Sequence, residues 1–435
     1  MKLSEPNTAD TPRLEPPPVY RWAMLFLISL AMFGNYYIYD SIAPIADILK
    51  RQLNFSDENI GSLYSVYSIA AIVILLFGGY LIDRWGTKKS TLLFAVLCVI
   101  AGILTAVSSN YYFMLSGRLM LGLGAEPLIV AITTALAKWF KGKELSFAFS
   151  LNLTIARLGS VAADNSPTWA KPYFVNWQKP LVIAAAIGIM CVIGAAAYWL
   201  LESRAEKRYR LEKAGETEKL VLKEFFKFDK SYWLIVALCL TFYSAIFPFR
   251  TFAIKFFIEA HGTSREFGGL LNSILPISAM VATPLFGLLA DKIGKRALLM
   301  MMGSFLILPV YLMMAYGNLS LFIPVSMMGI AFSLIPAVMW PSIAYIVDSK
   351  RLGTAYALMT LIQQIGLAGM NRLIGKVNDL AGASAANPAG YHRGMWIFTA
   401  LGFFGVLFSF LLWKNESRPG GHCLETLKAK SIRNE

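Results

Sequence analysis

Residues 79–89 read GYLIDRWGTKK, and residues 287–296 repeat the same pattern as GLLADKIGKR. Glycine, aspartate, base, glycine and base recur at a constant offset of 208 positions, and each copy lies between two long apolar stretches. A recurrence at about half the chain length, in a sequence this apolar, indicates an internal repeat of membrane helices.

The composition of the chain also indicates a membrane protein. It has 435 residues, of which 57% are hydrophobic and 15% charged, whereas an average soluble domain carries about 25% charge. The formal net charge of +14 does not indicate a nucleic-acid surface, because the bases lie in short loops between apolar spans.

Twelve stretches are long enough to cross a bilayer core of about 30 Å, which takes about 20 residues of helix. They predict an all-α membrane protein with 12 transmembrane helices in two pseudo-symmetric six-helix halves. The predicted spans are residues 22–46, 60–82, 90–109, 111–137, 145–168, 180–201, 232–258, 267–290, 297–316, 319–346, 352–377 and 393–413. The predicted domains are an N-terminal tail (1–21), a first half (22–201), a linker (202–230), a second half (231–414) and a tail (415–435).

The distribution of basic residues predicts the orientation of these helices. Of the 40 Lys and Arg residues, 28 lie in the tails and the even-numbered loops, and the loops after the third and ninth spans have none. Both termini are therefore expected in the cytoplasm.

The repeated loop is the signature of the major facilitator superfamily, which the chain resembles over nearly its whole length. The resemblance implies that the loop latches the two halves together in the outward-open state, and so predicts gating roles for residues of both copies. The alternative is a topology signal alone. The predicted gating residues are Asp83, Arg84, Lys88, Asp291, Lys292 and Arg296.

Two ionisable residues define the predicted substrate site. Glu126 lies 15 residues before Lys141 and Arg157 lies 16 after it, on helices joined by a hairpin around Lys141-Gly142. At 1.5 Å per residue both side chains fall at one depth near the middle of the membrane. They form either a structural salt bridge or a charge pair exposed to the cavity, with Arg157 binding a carboxylate and Glu126 an amine. Arg118, nearer the outer end, can bond backbone carbonyls instead.

Further candidates are polar and aromatic residues at similar depth. Tyrosines and an aspartate share helix faces in the first two spans by i,i+4 spacing, and a base, a tryptophan and a glutamine lie in the second half. Asp40 is either a proton or ligand site or a hydrogen-bonded structural carboxylate. These predicted substrate-binding residues are Tyr36, Tyr39, Asp40, Tyr64, Tyr67, Arg250, Trp340 and Gln363.

The sequence predicts no cofactor, no metal site and no enzymatic activity. All three histidines fall in predicted loops or the tail, no G-x-x-x-x-G-K-[ST] loop is present, and no nucleophile–base arrangement is found. ATP is therefore not expected to drive transport.

Several segments resemble the branch of the superfamily that contains the lysosomal dipeptide uniporter of animals. The most specific is residues 139–145, WFKGKEL, followed by Arg157, and others are residues 77–84, 247–249 and 352–356. The resemblance implies that Glu126 and Arg157 contact the two termini of a peptide. The N-terminal dileucine sorting signal of the lysosomal protein is not found here. Arg250 adds a charge where the branch is apolar, which favours acidic substrates.

The sequence thus predicts a secondary active or facilitative carrier of small zwitterions, dipeptides or amino acids, working by alternating access. Proton coupling through Glu126 or Asp40 and uniport both stay open. One alternative is an organic-anion or sugar-phosphate carrier using Arg157 with Arg250, and another is a non-transporting receptor or scaffold. The expected location is the bacterial inner membrane, as a monomer whose partners are the substrate and the lipid bilayer, with no nucleic acid.

Overall fold

The computed structural model describes residues 16–140, 144–209, 228–348, 351–422 and 424–426. The fold is almost entirely helical. The predicted hairpin around Lys141-Gly142 and most of the predicted linker and tails lie outside the described residues. The helices are α1 (Pro18–Asp40), α2 (Ala46–Leu53), α3 (Asp57–Leu75), α4 (Gly78–Val107), α5 (Tyr111–Phe140), α6 (Leu145–Asp164), α7 (Ser166–Trp169), α8 (Gln178–Arg208), α9 (Lys230–His261), α10 (Arg265–Ile293), α11 (Arg296–Ile307), α12 (Val310–Tyr316), α13 (Phe322–Ile346), α14 (Leu352–Leu380) and α15 (His392–Glu416).

Most of these helices are long enough to span a bilayer. Within the described residues, eleven helical segments are both long and apolar enough to do so, and each coincides with a predicted span. The twelfth prediction, residues 352–377, forms the 29-residue helix α14, which carries several amide and charged side chains and is not among the eleven. The count of twelve membrane-spanning helices therefore stays a prediction.

Local signals in the sequence account for several helix ends. Ser56 begins α3 with a capping box, in which its hydroxyl accepts from the Asn59 N–H and its own N–H donates to the Asn59 side chain. Asp229 and Ser264 cap α9 and α10 in the same position, accepting N–H groups three residues on.

The first copy of the repeated loop is interrupted at a single residue. Its residues are helical on both sides of Gly86, which alone leaves the helical region, at φ 78° and ψ 162°. A positive φ favours glycine, so the chain turns at this single residue.

Four predicted spans are interrupted. The predicted span 145–168 breaks at Asn165, between α6 and α7. The predicted span 60–82 breaks between α3 and α4, the span 297–316 breaks at Pro309 between α11 and α12, and the span 22–46 ends as a helix at Asp40 and continues through a 3-10 turn, Ala43–Ile45, into α2. Each span as a whole is apolar despite its break, which is why hydropathy alone did not reveal the breaks.

The helices pack in two sets. The first set, α1–α8, buries a core between residues 24 and 205, and the second set, α9–α15, is the main contributor to a second core. The two sets meet where α3 packs on α14 and α6 packs on α10. We call the end at which α9 ends and α3 begins the outer end, and the opposite end, predicted to face the cytoplasm, the inner end.

Candidate substrate site

A cavity of about 230 Å³ lies between the two sets of helices. Its walls come from helices of both sets, and they combine charged, amide, hydroxyl and aromatic side chains. The lining residues are Asn35, Tyr36, Tyr39, Asp40, Tyr67, Glu126, Ile129, Arg157, Ser160, Tyr243, Phe247, Arg250, Trp340, Thr360, Gln363, Gln364 and Leu367.

The acidic group of the cavity is Glu126, on α5. Its Oε1 accepts hydrogen bonds from the Tyr67 hydroxyl at 2.9 Å and from the Gln364 Nε2 at 3.0 Å. Tyr67 belongs to the first set and Gln364 to the second, so this carboxylate is bonded to both sets. No Lys or Arg nitrogen of the described chain forms an ion pair with it.

The basic group of the cavity is Arg157, on α6. Its guanidinium lies over the ring of Phe332, 5.2 Å from the centroid, and its Nε is buried without an acceptor. It forms no ion pair with a carboxylate in the part of the chain that the structure describes. Glu126 and Arg157 thus line one cavity as separate charges rather than as the structural salt bridge that the sequence left open.

Other predicted site residues differ in position. Tyr36, Tyr39, Asp40, Tyr67, Trp340 and Gln363 line the cavity. Tyr64 does not. Its ring lies 4.8 Å from the Arg118 guanidinium carbon, away from the cavity wall.

Arg118 forms hydrogen bonds with backbone carbonyls, which is the arrangement that its position allowed. It is fully buried and donates to the carbonyl oxygens of Ile38 at 3.3 Å, Tyr39 at 3.2 Å and Leu63 at 3.4 Å. These bonds tie α5 to α1 and α3 and give Arg118 a structural environment.

Arg250 borders the cavity but already has carboxylate partners. Its Nη2 lies 2.8 Å from Asp164 Oδ2, and its Nη1 lies 3.7 Å from Asp40 Oδ1. Asn272 donates to the other oxygen of Asp164 at 2.7 Å. This buried cluster joins α9 and α10 of the second set to α1 and α6 of the first.

The predicted site list omitted several lining residues. On α14, Thr360, Gln364 and Leu367 follow one another at helical spacing, so the face that includes Gln364 was available from i,i+4 periodicity. Tyr243 on α9 had no such signal in the sequence. It lines the cavity, and its hydroxyl accepts from Trp340 Nε1 at 3.1 Å.

A larger space of about 530 Å³ continues from the cavity toward the inner end. The two spaces share Glu126, Ile129 and Thr360. The inner space is bordered by Gly79 of the repeated loop and by Tyr356 of α14, so the site communicates with the inner end.

The outer end is closed by contacts between the two sets. Lys255 Nζ lies 2.8 Å from Asp57 Oδ2 with both side chains fully buried. Asp379 accepts the backbone N–H groups of Asp57 at 2.9 Å and Glu58 at 2.7 Å, which places a carboxylate at the N-terminus of α3. Arg265 pairs with Asp47. The structure is therefore closed at the outer end and open from the site toward the inner end.

A family comparison agrees with this architecture. The model of the "Major Facilitator Superfamily" matches residues 25–369 and 251–431. The chain belongs to the major facilitator superfamily. It is therefore a multi-pass membrane transporter, and its relatives are transporters rather than enzymes.

Individual members of the superfamily are similar to this chain over different lengths. The lysosomal dipeptide transporter MFSD1 of Danio rerio is 32% identical over 379 residues, which cover 84% of this chain and 82% of that protein. The hexuronate transporter of Escherichia coli (strain K12) is 27% identical over 181 residues, covering 42% and 41%. A solved bacterial homologue of the human lysosomal transporter Spinster, in an inward-facing and unoccupied conformation, has the same fold, with a TM-score of 0.72, 16% identity and coverage of 92% and 98%.

The residues predicted to gate this superfamily member lie at the inner end. Asp83, Arg84, Asp291 and Lys292 are exposed. Lys88 pairs with Glu206 within the first set, and Arg296 pairs with Asp291 at 2.5 Å and lies over the Tyr345 ring within the second set. Their gating roles stay predictions.

Proposed function

We propose that this transporter carries small zwitterions, dipeptides first and amino acids second, by alternating access. One observation carries the proposal: Glu126 and Arg157 line the same cavity without an ion pair to any residue in the described ranges. A solute with an ammonium and a carboxylate offers each of them the charge it lacks. The similarity to dipeptide transporters over most of the chain supports the same substrate class.

The energetics of a membrane site favour such a solute. A charge removed from water is costly unless it is paired and hydrogen-bonded, and charge-assisted hydrogen bonds are the strongest available replacement. The planar guanidinium of Arg157 can bind a carboxylate through two parallel bonds. The carboxylate and the ammonium of the substrate then replace the water around Arg157 and Glu126, and these two side chains replace the water around the substrate termini.

The organic-anion alternative requires two free bases, Arg157 and Arg250. Arg250 is held by Asp164 and Asp40, so an added anionic group would meet two carboxylates beside it. The similarity to the hexuronate transporter covers less than half of the chain. These observations favour the zwitterion over the dianion.

Uptake by the purified protein in liposomes tests the proposal. Labelled L-alanyl-L-alanine should accumulate, unlabelled dipeptides should compete, and dicarboxylates should not. Arg157→Ala and Glu126→Gln should each abolish uptake, whereas the exposed Arg418 serves as a matched control whose alanine variant should transport normally. Full activity of Arg157→Ala would remove it from the site.

Two further features of the proposal can be read from the same assay. Uptake with and without an imposed pH gradient separates proton coupling from uniport. Ligand binding without any uptake would instead favour a receptor. We propose the plasma membrane of a bacterial cell as its location. We also propose the monomer as its working unit, because both helix sets that enclose the cavity come from one chain.

A further inference from the structure

The carboxamide of Gln364, next to the acidic side of the cavity, is only partly satisfied. Its Nε2 donates to Glu126 Oε1 at 3.0 Å, while its Oε1 is buried and has no donor in the described part of the chain. The side chain is only 5% exposed, so water does not compensate the free acceptor. A buried acceptor of this kind costs about 1–3 kcal/mol when it stays unpaired.

The orientation of this amide follows from its neighbour. The NH2 group of Gln364 donates to Glu126, so the carbonyl oxygen of the same amide lies on its other side. The carboxamide thus presents an acceptor next to a carboxylate, on the wall of the same cavity. The Glu126 carboxyl group and the Gln364 carbonyl oxygen are acceptors on two different side chains, and together they form a site for a group with several N–H bonds and a positive charge.

We propose that Gln364 binds the substrate ammonium together with Glu126 and so selects solutes with a free, unsubstituted amine. The proposal rests on the proposed function and adds a residue of the second set to the site. Glu126 supplies the charge and one acceptor from α5, and Gln364 supplies a second acceptor from α14. The ammonium then bridges the two helix sets.

Binding of the ammonium at this position also changes how α14 and α5 are connected. In the empty site, the hydrogen bond from Gln364 to Glu126 connects α14 to α5 directly. With the ammonium between them, this direct bond is replaced by a connection through the solute. Substituted amines that keep their charge but lose N–H bonds would still reach Glu126 but would leave Gln364 Oε1 unpaired.

The experiment compares two charged ligands on two proteins by calorimetric titration. L-Alanyl-L-alanine carries three ammonium N–H bonds, and its N,N-dimethyl derivative carries one at the same charge. Wild-type protein should prefer the free amine, and Gln364→Leu should reduce that preference by about tenfold, the value of one hydrogen bond to a charged group. Gln364→Glu keeps an acceptor in the same shape, with a proton shared between the two carboxyl groups in place of the amide N–H, and should keep the preference.

The outcomes separate this inference from the proposed function. If Gln364→Leu weakens both ligands equally, Gln364 only positions Glu126 and the inference is wrong while the zwitterion site stands. If the variant leaves both affinities unchanged, the inference is also wrong. If neither ligand binds the wild-type protein, the proposed function fails and the inference fails with it. Should Gln364→Leu not fold, loss of the preference in Gln364→Glu would overturn the inference.

Discussion

Among the described residues, the partners of four basic side chains between the helices distinguish structural roles from a site. Arg118 is saturated by backbone carbonyls, and Arg250 and Lys255 face carboxylates. Arg157 has neither and borders the cavity instead. Because an intramembrane charge must find a partner, we expect a substrate to satisfy Arg157, which has neither backbone carbonyls nor a carboxylate as partner among the described residues.

The structural role of Arg118 can be measured through stability. Replacing it with methionine leaves the carbonyls of Ile38, Tyr39 and Leu63 without their donor, so Arg118→Met should cost about 2 kcal/mol or more. The apparent melting temperature in detergent should fall by several degrees. Arg418→Met, at an exposed position, is the control and should melt like the wild type. Equal melting of the two variants would contradict the structural assignment.

Counting along the sequence addresses the depth of the site residues but not the direction of their side chains. Counting 1.5 Å per residue from a hairpin placed Glu126 and Arg157 at one level, and both line the cavity. The count could not predict that Tyr64 faces Arg118, or that Arg250 meets Asp164, which lies 86 positions away. Such pairings depend on how each helix is rotated against its neighbours, and one sequence without its tertiary contacts does not determine that rotation.

At the scale of elements, apolarity predicted where helices lie but not where they break. Leu76 and Phe77 interrupt a continuous apolar run between α3 and α4 without any polar or proline residue to mark the interruption. Pro309, by contrast, was a readable signal, since proline lacks the N–H that a helix interior needs. On α14, two of the amide residues that reduce its apolarity, Gln363 and Gln364, also line the cavity.

The contact between α3 and α14 depends on two glycines at the outer end. A Cβ on Gly61 would collide with the carbonyl oxygen of Asn371, and one on Gly375 would collide with the carbonyl oxygen of Asp57. The backbones of the two sets therefore touch directly here, and a side chain on either glycine must separate α3 from α14.

Alanine at Gly61 should consequently favour opening of the outer end. The added methyl group acts only on the state in which α3 and α14 are in contact, so it shifts the equilibrium rather than unfolding either helix set. Spin labels at the exposed Val175 and Leu380 would report a longer distance in Gly61→Ala. Gly369→Ala, on the same helix α14 with open space at its Cβ, should leave the distance unchanged, and equal distances in both variants would refute the contact's role.

For the whole molecule, the two ends of the helix bundle are closed to different degrees. Buried ion pairs, a capped helix terminus and glycine contacts join the sets at the outer end. Between the cavity and the inner end, about 530 Å³ of space separates the two sets. A carrier that alternates access must break the outer contacts in the other half of its cycle. The outer pairs therefore set the free energy of the outward-open state relative to this one.

Thiol accessibility measures that free energy directly. Thr360 borders both the cavity and the inner space, so Thr360→Cys, with Cys423 replaced by serine, should react with a membrane-impermeant thiol reagent from the inner side and slowly from the outer side. Adding Lys255→Met leaves Asp57 buried without its closest cation, at a cost of about 3–5 kcal/mol to the closed outer end. Labelling from the outer side should then rise at least tenfold.

An exposed ion pair across the same interface provides the control for this measurement. Lys171 pairs with Glu266 at 2.7 Å, and its side chain is 73% exposed. Because exposed pairs contribute about 0–1 kcal/mol, Lys171→Met should change outer labelling little. If both lysine variants raised it equally, burial of the Lys255–Asp57 pair would not be what keeps the outer end shut, and the closure would have to come from the backbone contacts at Gly61 and Gly375 instead.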